Sequence, residues 1–122
     1  MISKDWQQFG HMFQKRCAHY MPGTSNRSPC FLQFLDCVHQ IWHQLSCEFE
    51  FNDKLLTFIA DELHNCKYGD FFSDCEQERL KNDVREKTFT LWFAIDIHRE
   101  DFKNPNYVGL EKAKRILRLP IV

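Results

Sequence analysis

Histidines, cysteines and aspartates recur in this chain at spacings that invite three chemical readings. If residues 29–46 are helical, Asp36, His39 and His43 fall within about 60° of one another on the helix surface. Two histidines at i and i+4 can share a divalent metal. The metalloprotease pattern needs glutamate directly after the first histidine, however, and Gln40 stands there. The expectation is a polar helix face carrying two exposed or locally bonded imidazoles, with no metal. His11, Cys17 and His19 form a second cluster, but their spacing fits no zinc motif and no CxxC occurs in the chain. These are expected to be buried or half-buried structural residues. A cysteine nucleophile needs a nearby base and an electropositive setting. Cys30, close to a helix N-terminus, is the most thiolate-friendly of the six cysteines. Beside Phe31 in the first turn, it is expected to be packed rather than reactive.

Other chemistries have less to work with. The glycines are Gly10, Gly23, Gly69 and Gly109, and they make no phosphate-cradling loop. No serine nucleophile elbow is present, and no cofactor is implied. Lys112, Lys114, Arg115 and Arg118 interleave with Ile116, Leu117 and Leu119. That amphipathic pattern could touch phosphate or the headgroup of an anionic membrane lipid. Glu111 and a formal net charge of −1 weaken this case and favour a solvated face that packs its leucines on the domain. The same near-neutral balance argues against nucleic acid as a partner.

The elements that must position these residues are mostly helical. Phe31, Phe34, Leu35, Val38, Ile41, Trp42 and Leu45 recur at helical spacing and predict a helix over about Pro29–Ser46. Ser28 is its expected cap and Pro29 its first residue. Residues 1–20 suggest a short helix or turn interrupted by Gly10, and residues 21–28 a loop. Glu48–Phe51 alternates and should be extended. Asn52 then caps a second helix, Asp53 to about Tyr68, with Phe51 and Leu56 placed as a hydrophobic staple and Gly69 as its left-handed exit. Ser73 and Glu76 have capping-box spacing and open a charged helix to about Asp83. Phe89, Leu91, Phe93, Ile95 and Ile97 alternate strictly, which by itself favours a strand. Asn104-Pro105-Asn106 reads as a turn, and Leu110–Leu119 as a small basic helix closed by Pro120.

A chain of 122 residues with 43% apolar residues, 12 Phe and 3 Trp fits one domain with an ample core. No apolar run approaches the ~20 residues of a membrane span. The start, MISKDWQQ, lacks the apolar core of a secretion signal, so reduced thiols and a cytoplasmic location are expected.

The wording of several stretches resembles one family. Trp6, Phe9-Gly10-His11, Phe13, Arg16-Cys17, Ser28-Pro29, the block Phe31–Val38 (FLQFLDCV) and Phe49–Asn52 (FEFN) resemble the C-terminal part of the myotubularin phosphatase domain. Gly69, Phe71-Phe72, Glu78-Arg79, Leu91-Trp92, Asn104-Pro105 and Tyr107 follow in the family's order. The likeness covers residues 6–107, and residues 108–122 diverge as a basic tail. It implies a mainly α fold, the helical C-terminal part of a cysteine-phosphatase-like α/β domain. At residues 88–98 it implies a short helix at Leu91-Trp92, and that reading is preferred over the strand.

The family removes the 3-phosphate from phosphatidylinositol 3-phosphate and 3,5-bisphosphate, using a cysteine nucleophile in a Cys-x5-Arg loop. Many relatives lack the loop and act as inactive partners. The thiolate attacks phosphorus while backbone amides and the arginine hold the phosphate oxygens. Here Cys17, Cys30, Cys37, Cys47, Cys66 and Cys75 are followed six positions on by Gly23, Asp36, His43, Asp53, Phe72 and Lys81. None is arginine. In active relatives the loop precedes the region matching Trp6, so no catalytic residue carries over to this sequence. The resemblance implies a non-catalytic segment of a phosphoinositide 3-phosphatase. The alternative is a helical adapter that binds an active myotubularin-family protein, peripheral to endosomal membranes.

Overall fold

The apolar stripe of residues 31–45 needs a partner surface, and the second amphipathic helix supplies it. In the computed structural model, which describes residues 1–17 and 27–108, seven α-helical stretches are present among those residues. They are α1 (Phe13–Arg16), α2 (Cys30–Gln44), α3 (Asp53–Asn65), α4 (Glu76–Lys81), α5 (Val84–Lys87), α6 (Leu91–Ile97) and α7 (Arg99–Phe102). A π-helical segment, Ile2–Gln8, precedes them, and single 3-10 turns lie at Ser46–Glu48 and Gly69–Phe71. Among the described residues the only β-pairing is an isolated antiparallel bridge between Phe51 and Lys103. The fold is mainly α, as expected.

α2 packs on α3, α3 on α7 and α6 on α7, while the N-terminal segment lies on the Gly69–Phe71 turn. Where these meet, Phe13, Phe31 and Phe71 are fully buried. Phe31 stacks edge-on to Phe13 at 5.2 Å between ring centres and lies 5.7 Å from Phe71, and Phe13 and Phe71 are 5.4 Å apart. Trp6 closes the cluster edge-on to Phe31 at 4.9 Å. Such offset and edge-on pairs add to the gain from burying large apolar rings. Leu35 from α2 and Leu56, Ile59 and Leu63 from α3 complete the interior. Four separate stretches of sequence thus share one aromatic centre.

Several local expectations hold. Asn52 accepts a hydrogen bond from the Lys54 amide (3.1 Å) and caps α3. α6 is a helix despite its alternating sequence, with Thr90 Oγ1 accepting from the Trp92 amide at 3.4 Å. Asn104 forms the expected turn, its Oδ1 accepting from the Asn106 amide (3.1 Å). Its side-chain nitrogen donates to Ser46 O (2.6 Å) and Phe49 O (2.8 Å), which fastens the chain after α7 to the loop after α2.

Four details differ from expectation. Pro29, not Ser28, occupies the cap position of α2 without a side-chain cap. The Ser28 hydroxyl instead lies 3.0 Å from Cys30 Sγ, and its amide donates to Arg16 O. α3 ends at Asn65 rather than Tyr68, and the left-handed residue is Cys66 (φ 49°) rather than Gly69. Gly69 is needed for a close approach: a Cβ there would overlap the Thr88 side chain and sit 2.9 Å from Val84 Cγ1. The Ser73–Glu76 box does not form, because Ser73 is buried at φ 65° and Cys75 takes the cap position. Glu78 reaches back to the Asp74 amide (3.0 Å), while Glu76 is engaged by Arg85. The charged helix also stops at Lys81, and α5 follows as a separate turn. Most of the loop over 21–28 and the basic helix over Leu110–Leu119 lie outside the described residues.

Because Phe31 touches all three other rings of the centre, truncating it leaves a cavity that no neighbour can fill. Phe31→Ala should lower the unfolding free energy by about 3–5 kcal/mol, a large part of the ~5–15 kcal/mol of a small domain. Urea unfolding followed by far-UV dichroism reads the change. A loss below about 1 kcal/mol would place the core elsewhere.

Candidate functional site

The best-built polar site was not among the candidates read from the sequence. Asp70 stands in the Gly69–Phe71 turn, and its carboxylate gathers donors from two distant elements. Gln7 Nε2 donates to Asp70 Oδ1 and to its backbone oxygen, both at 3.0 Å. Thr90 Oγ1 donates to Oδ1 at 3.1 Å, and the Leu91 amide donates to Oδ2. The carboxylate therefore receives a free amide of the first turn of α6, where the helix dipole favours negative charge. Arg79 of α4 lies beneath, 6% exposed, and its Nη1 donates to the backbone oxygens of Asp70 (3.0 Å) and Gly69 (3.5 Å). Arg79 Nε and Nη2 are buried with no partner among the described residues. Burial lowers the Arg79 pKa, and the nearby carboxylates of Glu76 and Asp70 oppose that shift.

Beside this junction a groove of about 600 Å³ opens, walled by Gln7, Thr88, Phe89, Thr90, Trp92 and Phe93 and floored by Gly69, Asp70 and Arg79. Its second cation, Arg85, is 2.5 Å from Glu76. Arg85 is thus paired with a carboxylate, while Arg79 is held through Nη1 by backbone oxygens and has the carboxylates of Glu76 and Asp70 nearby.

Among the described residues, those singled out from the sequence do not assemble into a reactive centre. Asp36, His39 and His43 are all exposed on α2. The two imidazoles lie 6.3 Å apart at 28° and His39 also stacks on Trp42, so the rings face one another rather than converging their nitrogens. Among the described residues, no group of three or more His, Cys, Asp or Glu side chains could hold a metal ion. His11 packs edge-on between Trp6 (4.8 Å) and Phe13 (4.7 Å), as a structural histidine would. Its Nε2 is buried without a partner among the described residues. His19, the third member of that cluster, lies outside the described residues, as do Lys112, Lys114, Arg115 and Arg118.

The cysteines are free thiols among the described residues. Burial, then the neighbouring Cys66 and Cys30, pushes the Cys17 thiol up to about 11. Burial also raises Cys66. A phosphatase nucleophile requires the reverse, a thiol pKa depressed by positive surroundings.

Together these features describe a helical scaffold whose polar centre ties elements together. Residues 1–80 match the family model for the myotubularin-like phosphatase domain. The chain is 44% identical over 111 residues to the Gallus gallus phosphatidylinositol-3,5-bisphosphate 3-phosphatase MTMR2, which covers 89% of this chain and 19% of that protein. It is 39% identical over 109 residues to human phosphatidylinositol-3,5-bisphosphate 3-phosphatase MTMR8, covering 89% of this chain and 16% of that protein. The Xenopus tropicalis myotubularin is 41% identical over 109 residues, 88% of this chain and 18% of that relative. The chain belongs to the myotubularin-like phosphatase family. It spans less than a fifth of the length of these relatives.

His11 gives the scaffold a pH dependence with a definite sign. Burial first, and then the Arg16 charge, lowers its pKa below the usual 6.5, while Asp74 opposes. The folded state thus prefers the neutral ring. The associated stability is full above the unfolded-state pKa and is lost as pH falls through the depressed value. Wild type should therefore lose more melting temperature between pH 7 and pH 5 than His11→Gln does. Equal losses in the two proteins would remove His11 from the acid response.

Proposed function

We propose that this chain is a non-catalytic segment of a myotubularin-like phosphoinositide 3-phosphatase, a helical scaffold without turnover of its own. One observation carries the reading: none of the cysteines is followed six positions later by arginine. In-line attack on phosphorus needs a thiolate and a guanidinium on one loop, the first to bond and the second to hold the equatorial oxygens. The thiol chemistry supports the same conclusion, since the burial that raises Cys17 to about 11 leaves it protonated at neutral pH. Arg79, the most buried arginine among the described residues, has its Nη1 bonded to backbone oxygens. The segment's contribution to such a phosphatase is then to present a rigid helical face to the rest of the domain.

A second reading, the adapter that binds an active myotubularin relative, is favoured by the exposed aromatic rings of Phe93 in α6 and of Phe89 just before it. Such faces mark interaction surfaces more often than ordinary ones.

The decisive assay is phosphate release from vesicles containing phosphatidylinositol 3-phosphate or phosphatidylinositol 3,5-bisphosphate. The purified 122-residue chain should release none above the vesicle blank, with the human relative run in parallel as reference. Turnover that survives replacement of all six cysteines by serine would point to a contaminant. Turnover abolished by a single Cys→Ser change would overturn the proposal.

A further inference from the structure

Arg79 is 6% exposed, yet only its Nη1 is bonded. That nitrogen donates to the backbone oxygens of Asp70 (3.0 Å) and Gly69 (3.5 Å) in the groove floor. Nε and Nη2 are buried with no partner among the described residues. These two nitrogens make up the side-on edge of a guanidinium, whose parallel N–H bonds match the two oxygens of a carboxylate. Buried donors are nearly always satisfied, and leaving a charged one unpaired costs more than leaving a neutral one. Burial accordingly lowers the Arg79 pKa even with Glu76 and Asp70 nearby.

We infer that the groove beside Arg79 is a binding site for a small aromatic monocarboxylate, held by the free edge of the guanidinium. At about 600 Å³ the groove has the size of a small-molecule site, and it has the usual make-up of apolar walls around a few polar groups. The Phe89 and Phe93 rings stack at 6.3 Å and 22°, a flat wall against which a ligand ring can pack. The other donors around it are already used. Thr88 Oγ1 donates to Val84 O (2.6 Å), Thr90 Oγ1 and Gln7 Nε2 donate to Asp70, and Arg85 engages Glu76. Of the groove's two arginines, Arg79 is the one with a whole edge to offer.

Charge narrows the class of ligand. Arg79 and Arg85 are balanced by Asp70 and Glu76, so a monoanion leaves the groove with a single excess negative charge and a phosphate dianion leaves it with two. A carboxylate is therefore favoured over a phosphate. Because Nε and Nη2 are covered, the carboxylate reaches them only as the groove wall gives way. Phe89 and Phe93, 75% and 56% exposed, carry little packing that would resist such an opening.

Proton–nitrogen correlation spectra of the arginine Nε–H groups, recorded on the full chain as benzoate is added, test the inference. The expected result is saturable binding by ~10 mM benzoate, with the Arg79 Nε–H resonance moving and exchanging more slowly with water. Benzamide, the same ring without the charge, and inorganic phosphate should each bind at least about tenfold more weakly. Arg79→Lys keeps the charge but loses the planar edge, and should weaken benzoate at least about tenfold. Phe93→Ala, at an exposed wall position, should weaken it about threefold with unchanged far-UV dichroism. The wild-type resonance decides the matter even if the Arg79 variant does not fold. A resonance unmoved by benzoate would overturn the inference and leave an ordered water as the partner of that edge. Equal binding of benzamide would overturn it by reducing the groove to an apolar cleft. Equal binding of phosphate would overturn it too, since the site would then take any anion. None of these outcomes depends on whether the chain turns over lipid phosphate.

Discussion

The carboxylate of Asp70 ties together two parts of the chain that are far apart in sequence and that both also pack on the apolar core. Gln7, from the N-terminal π-helical segment, donates to one side of it, and Thr90 and the Leu91 amide, from the start of α6, donate to the other. In sequence these donors lie 63 residues before Asp70 and 20 and 21 residues after it. A charged acceptor strengthens each bond relative to a neutral one. It also supplies the first turn of α6 with an acceptor that this short helix cannot provide itself. Seven residues, Leu91–Ile97, make too short a helix to persist on intrinsic propensity. α6 exists because Asp70 and the buried Leu91 anchor its start.

The position of Asp70 is fixed from below and behind. Arg79 clamps the backbone oxygens of residues 69 and 70, and Gly69 lets the turn approach the end of α5 with no side chain in the way. The Gly69 amide donates to Phe89 O at 3.1 Å, which brings the residue before Thr90 to the same turn. On its other side the turn delivers Phe71 into the aromatic centre with Phe13 and Phe31. Polar junction and apolar core are therefore two faces of one three-residue turn. The polar side chains of this junction hold helices and turns together.

How much of this the sequence displays depends on the range of the interaction. The amphipathic stripe of α2, the Asn52 cap and the Asn104 turn are decided by neighbours within a few residues, and all three are legible. The start of α2 and the Ser73 region misled because local capping lost to competing partners. Ser28 turned to Cys30, and Glu78 rather than Glu76 reached back. The alternation of residues 89–97 looks like a strand, but an acceptor some twenty residues away makes a helix of it. Asp70 and Arg79 were invisible as a site because bonds to distant amides and backbone oxygens leave no spacing in the sequence. The absence of a cysteine–arginine pair at the phosphatase offset, by contrast, is a property of the sequence alone.

Hydrogen exchange on Asp70→Ala is the most direct test of this architecture. If the carboxylate joins the two ends of the scaffold, its removal should speed amide exchange in Ile2–Gln8 and Leu91–Ile97 together, while the α2–α3 pair keeps its protection. Wild-type protection in both segments, or loosening of one without the other, would contradict the account.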